Sequence, residues 1–95
     1  HPNLAHQLFA AYARSTRVRV LASVMGMEGL SDTDKRYLKF GDTFEDELVS
    51  QAGPRTLEES MDIGWRLLRV LPEAELSRLS DAQIDRYIRE EAEGA

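Results

Sequence analysis

The stretch Val24-Met25-Gly26-Met27-Glu28-Gly29-Leu30-Ser31-Asp32-Thr33-Asp34-Lys35 decides how the chain is read. It is a glycine-punctuated, acidic turn between two amphipathic segments. Three carboxylates (Glu28, Asp32, Asp34) fall within seven residues, before Lys35 and Arg36 restore positive charge. Gly26 is a good residue to follow a helix, since glycine tolerates the left-handed conformation. Ser31 is a good residue to start one, because its hydroxyl can accept a bond from the amide near Asp34. Asp32 and Asp34 then sit where the positive end of the helix dipole favours anions. The stretch therefore predicts a helix-turn-helix.

On the N-terminal side, Leu4, Leu8, Ala11 and Tyr12 recur at helical spacing, with Phe9 widening the stripe. Pro2 and Asn3 read as start signals, Asn3 as the N-cap. The polar run Arg14-Ser15-Thr16-Arg17 predicts a kink or break, which gives a first helix over 4–13 and a second over 18–25. The second carries Val18, Leu21, Ala22 and Met25. Val18-Arg19-Val20 alternates like a strand, but no partner strand is legible anywhere in the chain.

On the C-terminal side, Tyr37, Phe40, Gly41, Phe44 and Leu48 form the apolar face of a helix running to about Ser50. Glycine inside a helix costs about 1 kcal/mol against alanine, so Gly41 predicts a close helix crossing. Gln51-Ala52-Gly53-Pro54-Arg55 reads as a linker. Thr56 and Glu59 form a capping box for a helix with Leu57, Met61, Gly64, Trp65, Leu68 and Leu71 on its apolar face. That helix stops before Pro72, and Trp65 is its candidate for the centre of the core. Pro72 to Leu76 predicts a short helical turn. Ser80 and Gln83 cap a last helix with Ile84, Tyr87 and Ile88, fraying from Glu90. The fold class is all-α: a compact bundle of about five helices with an acidic helix-turn-helix tip.

Composition narrows the function. The chain has 95 residues, 42% hydrophobic and 31% charged, with a net charge of −5 and no cysteine. That allows one small domain with a modest core and excludes disulfides and thiolate metal sites. An acidic balance argues against a nucleic-acid partner. No apolar run approaches the roughly 20 residues that span a bilayer, and no secretory leader is present. His1 and His6 make a poor metal pair. Glu58-Glu59, Glu73 with Glu75, and Glu90-Glu91 read as dipole partners and solvated faces. No Gly-Lys-Ser/Thr phosphate cradle is encoded. If the helices flanking the turn are antiparallel, Arg14 and Arg17 fall near Asp42 and Glu45 as ion pairs. The chain opens His1-Pro2-Asn3 without an initiator methionine, which reads as a piece of a longer polypeptide.

The acidic turn resembles one in the C-terminal helical domain of rotary ATPases. In the β subunit of F-type enzymes a Gly-Met precedes Asp-Glu-Leu-Ser-Glu-Glu-Asp, followed by Lys. Here Gly26-Met27 precedes Glu28-Gly29-Leu30-Ser31-Asp32-Thr33-Asp34, then Lys35, and five of the seven motif positions keep their character. Gly29 and Thr33 replace acids. The remainder is similar to the B subunit of V-type and archaeal-type enzymes. The matching segments are His1 to Ala13, Asp34 to Phe40, Leu57 to Trp65, and Leu71-Pro72 followed by Glu75-Leu76. The catalytic A subunit lacks the Leu-Glu-Glu-Ser…Trp pattern.

The resemblance implies a non-catalytic, regulatory subunit alternating with catalytic A subunits in a ring around a rotating central stalk. Its enzyme is a proton- or sodium-translocating ATPase or ATP synthase whose soluble head lies on the cytoplasmic side, peripheral to the membrane. It implies three partners: the A subunits, the central stalk subunits and the domain's own upstream nucleotide-binding domain. Neither nucleic acid nor direct membrane insertion is expected. ATP or ADP and magnesium would bind elsewhere in the complex, so this segment carries no cofactor, metal or catalytic residue. The rotor-contact candidates are Met27, Glu28, Gly29, Leu30, Ser31, Asp32 and Asp34. Leu4, Leu8 and Phe9, which would face the upstream domain, would form an exposed apolar patch. The competing reading is a stand-alone helical adaptor whose acidic turn is only a solvated corner.

Overall fold

The computed structural model describes residues 2–50 and 56–90. His1, the linker expected at 51–55 and the fraying expected beyond Glu90 lie outside the described residues. The fold is all-helical. α1 spans Pro2–Met25, α2 spans Asp32–Phe44 and continues as a π-helix over Glu45–Ser50, and α3 spans Leu57–Leu68. α4 spans Asp81–Gln83 and continues as a π-helix over Ile84–Glu90. Single 3₁₀ turns cover Met27–Gly29 and Glu73–Glu75.

Among the described residues four helices stand where about five were expected, because the break at 14–17 does not occur. The buried positions of α1 are Leu4, Gln7, Ala11, Ser15 and Val18, one uninterrupted stripe at spacings of three and four. Ser15 Oγ donates to the Tyr12 carbonyl at 2.6 Å and Thr16 Oγ1 to the Ala13 carbonyl at 2.8 Å. Hydroxyls that read as caps are thus satisfied inside the helix. At about 1.5 Å per residue, the 24 residues of α1 make a rod nearly as long as the molecule's 38 Å axis. Asn3 lies within this rod rather than capping it, and its amide donates to Gln83 Oε1 at 3.0 Å.

α1 and α2 cross closely where the mid-helix glycine predicted it. A Cβ added to Gly41 would lie 2.5 Å from Ser15 Oγ and 2.8 Å from Ser15 Cβ. Ser15 is wholly buried as a result. Beside the crossing, Phe44 stacks on Tyr12 at 4.9 Å and tilts against Phe40, which is fully buried. Gly64 of α3 approaches α1 in the same manner, 2.9 Å from Leu8 Cδ1 for an added Cβ.

α3 begins with the expected capping box, Glu59 N–H to Thr56 Oγ1 and Thr56 N–H to Glu59 Oε1. It ends earlier than Leu71: the chain tightens into 3₁₀ bonds from Val70 and Leu71 to the Leu67 and Leu68 carbonyls. Leu71 remains in the core by this route. Leu57, expected on the apolar face, is exposed at the helix start. Trp65 is buried as expected and stacks on Tyr87 of the last helix at 4.2 Å, the two rings nearly parallel. The Ser80–Gln83 capping box is also present.

Two polar groups hold the segment after α3, Gln7 against α1 and Tyr37 against α2. Buried Gln7 donates to the Glu75 carbonyl at 3.4 Å and accepts from the Arg78 amide at 2.8 Å. Tyr37 donates its hydroxyl to Glu75 at 2.9 Å, with the Arg14 guanidinium 5.0 Å over its ring. Arg14 also pairs with Asp34 at 3.5 Å. The residue that meets Asp42 and Glu45, at 3.2 and 3.5 Å, is Arg19 rather than Arg14 or Arg17. An unbroken α1 sets that register. Of the expected apolar patch, Leu4 is buried, Leu8 is half-buried, and only Phe9 is open to solvent.

Gly41→Ala should lower the urea unfolding midpoint, by about 1–3 kcal/mol in stability, although alanine is the better helix former. Gly64→Ala should cost less, because the atom it meets is the movable end of a leucine. Burial, followed by the bond to Glu75, pushes the Tyr37 hydroxyl from 10.0 up to about 12. The protonated phenol is the form the fold favours. Its contribution is whole below pH 10 and is lost as pH rises toward about 12. Circular-dichroism unfolding across that window should show stability falling, with a shallower fall in Tyr37→Phe. Tyr12, raised first by its bond to Glu45, should leave a residual slope.

Candidate interaction site at the helix-turn-helix tip

The last two turns of α1 present an apolar outer face to solvent. Val20, Leu21, Val24 and Met25 are all exposed there, Val24 by 79%. The reading of Leu21 and Met25 as core is therefore corrected. The stripe through Ser15 and Val18 passes on to half-buried Ala22 and leaves those two facing outward. α1 ends where expected, and the Gly26 N–H closes it on the Ala22 carbonyl at 2.8 Å. Gly26 has φ 79° and ψ 163°, a combination open essentially to glycine.

The turn itself is a tight 3₁₀ loop. Gly29 N–H bonds the Gly26 carbonyl and Leu30 N–H bonds the Met27 carbonyl, both at 3.2 Å. Gly29 lies against the helix it has just left: an added Cβ would sit 3.0 Å from Met25 Cε and 3.1 Å from Met25 Cβ. This close return gives a local reason for glycine at a motif position where the F-type pattern has an acid. Ser31 caps α2 as expected, accepting from the Asp34 amide at 3.1 Å.

The seven candidate residues divide into two groups. Met27, Glu28, Gly29, Ser31 and Asp32 are exposed, Met27 by 52%. Leu30 is only 7% exposed and belongs to the core, where it anchors the turn. The Asp34 side chain is 18% exposed and paired with Arg14, so it is part of the scaffold. Neither Glu28 nor Asp32 has an ion pair among the described residues. The free tip thus carries two carboxylates, not three, beside an apolar rim of Val20, Val24, Met25 and Met27. Met27 of this rim was among the candidates, but Val20, Val24 and Met25 were missed because the assumed break at 14–17 hid the phase of the helix. A continuous 3.6-residue stripe drawn through Ser15 would have revealed them.

Among the described residues no group of three His, Asp or Glu side chains could hold a metal ion. Glu28 and Asp32 stand on the turn open to solvent. The arrangement suits contact with another surface through charge and apolar area. Gly26→Ala should destabilise the domain by about 1–3 kcal/mol from backbone strain alone, since nothing lies within 4 Å of an added Cβ. Thermal unfolding of that variant measures the cost directly.

The family model for the C-terminal domain of V and A type ATP synthase matches residues 1–88. The chain is also similar to the B subunit of the A-type ATP synthase of Methanopyrus kandleri, 47% identical over 89 residues. That alignment covers 92% of this chain and 9% of the relative, so the chain spans a small part of the relative's length. The resemblance legible in the separate motifs is matched along nearly the whole sequence, and the all-helical fold with its helix-turn-helix tip agrees with it. The chain belongs to the family of C-terminal domains of V and A type ATP synthases.

Proposed function

We propose that this chain is the C-terminal helical domain of a B subunit. In this reading it is a non-catalytic element that packs between A subunits in the ring and touches the central stalk through the tip. The similarity to the Methanopyrus B subunit over 92% of the chain carries the assignment. The exposed apolar and acidic turn supports the contact. Mechanically, the tip would be a follower. Rotor position would press on a turn braced by Leu30 and by the Asp34–Arg14 pair, and α1 and α2 would carry that displacement into the bundle.

The reading places nucleotide and magnesium binding upstream of this segment. It also places the domain in the soluble head, peripheral to the membrane. Among the described residues no helix is long and apolar enough to cross a membrane. Charges on a convex tip would steer and bias the rotor contact more than they would tighten it, with an effect that salt weakens. The apolar rim would provide the salt-independent part.

The test is made in the assembled enzyme. Glu28→Lys with Asp32→Lys should lower ion transport per ATP hydrolysed by several-fold at low ionic strength, and by less at high ionic strength. Met27→Ser should lower it at both. Asp34→Lys should act differently, by lowering the unfolding temperature. Unchanged coupling and unchanged rotor crosslinking in all the tip variants would overturn the contact.

A further inference from the structure

The flank of the tip differs in charge from the tip itself. Between the end of α1 and the start of α2 runs an open groove of about 530 Å³. Ala22, Met27 and Leu38 line it, with Arg19, Lys35 and Lys39 around them. Its lining is more apolar than polar.

The charges around it are unequal. Asp42, the acid in the lining, is engaged by Arg19 at 3.2 Å. Arg19 in turn also pairs with Glu45. Lys35 and Lys39, the chain's only lysines, are exposed and have no ion pair among the described residues.

Four residues apart on α2, the two lysines share a face and repel each other. They are a local positive pair on a chain whose net charge is −5.

An apolar groove beside two uncompensated cations complements an amphipathic helix whose apolar stripe is flanked by carboxylates. A bilayer is the poorer match, because the apolar surface here is concave and the Asp42 side chain is 75% exposed beside it. We infer that this groove receives such an acidic amphipathic helix from a neighbouring subunit. The inference rests on the proposed placement in the ring, since Met27 belongs to both surfaces. It adds the partner's chemistry: acids flanking an apolar stripe, seated on the basic side of the tip.

Zero-length carbodiimide crosslinking of the assembled ATP synthase, followed by peptide mass spectrometry, tests it. The expected product is an amide joining Lys35 or Lys39 to an Asp or Glu on an amphipathic helix of another subunit. Its yield should fall several-fold in Met27→Asp, an exposed substitution. Lys35→Glu with Lys39→Glu should weaken retention of that partner several-fold, and Lys35→Arg with Lys39→Arg should preserve it. Amides only within this chain, to a second copy of it, or none at all in an intact ring would overturn the groove proposal alone. Failure of the chain to co-purify with the ring would overturn the placement as well.

Discussion

The close approach of Ser15 to Gly41 is the constraint on which the rest of the structure depends. It fixes the register between the two longest helices, because only a residue without a side chain can meet a buried serine at that distance. Once that register is set, Phe44 meets Tyr12, Arg19 meets Asp42 and Glu45, and Leu30 reaches the core from the far side of the turn. Interiors packed to near-crystalline density transmit such a constraint because they leave no slack to absorb it.

The second organising element is polar. A small bundle has little apolar area to fix where its irregular segments lie, and here buried Gln7 and Tyr37 do so by hydrogen bonds to the stretch around Glu75 and Arg78. No buried side-chain nitrogen or oxygen among the described residues lacks a partner. The surface ion pairs, such as Arg66 with Glu47 and Arg89 with Glu73, contribute little by comparison, as exposed pairs do. The core and the tip share one charged residue, Asp34. It stands second among the acids of α2's first turn, yet it is tied inward by Arg14.

A tip braced in this way separates its supporting residues from its presenting ones. Leu30, Ser31 and Asp34 hold the turn through burial, a cap and an ion pair. Met27, Glu28 and Asp32 face solvent, with Val24 and Met25 from the helix before. In this member of the V and A type ATP synthase C-terminal domain family, the tip presents a mixed apolar and acidic surface.

Local chemistry in the sequence determined the helical class, the end of α1 at Gly26, the Ser31, Thr56 and Ser80 caps, the burial of Trp65 and the close crossing at Gly41. Each follows from a residue acting within about one turn of its own position, or from a glycine whose cost needs a packing explanation. The family was also legible, because several motifs spread along the chain had to coincide. The tertiary structure alone decided that Arg14-Ser15-Thr16-Arg17 stays helical, that Leu30 and Asp34 turn inward, and that Leu21, Met25 and Leu57 turn outward. Those outcomes depend on what lies opposite each residue. A serine facing a glycine on a neighbouring helix is core, while the same serine read along its own chain looks like a cap.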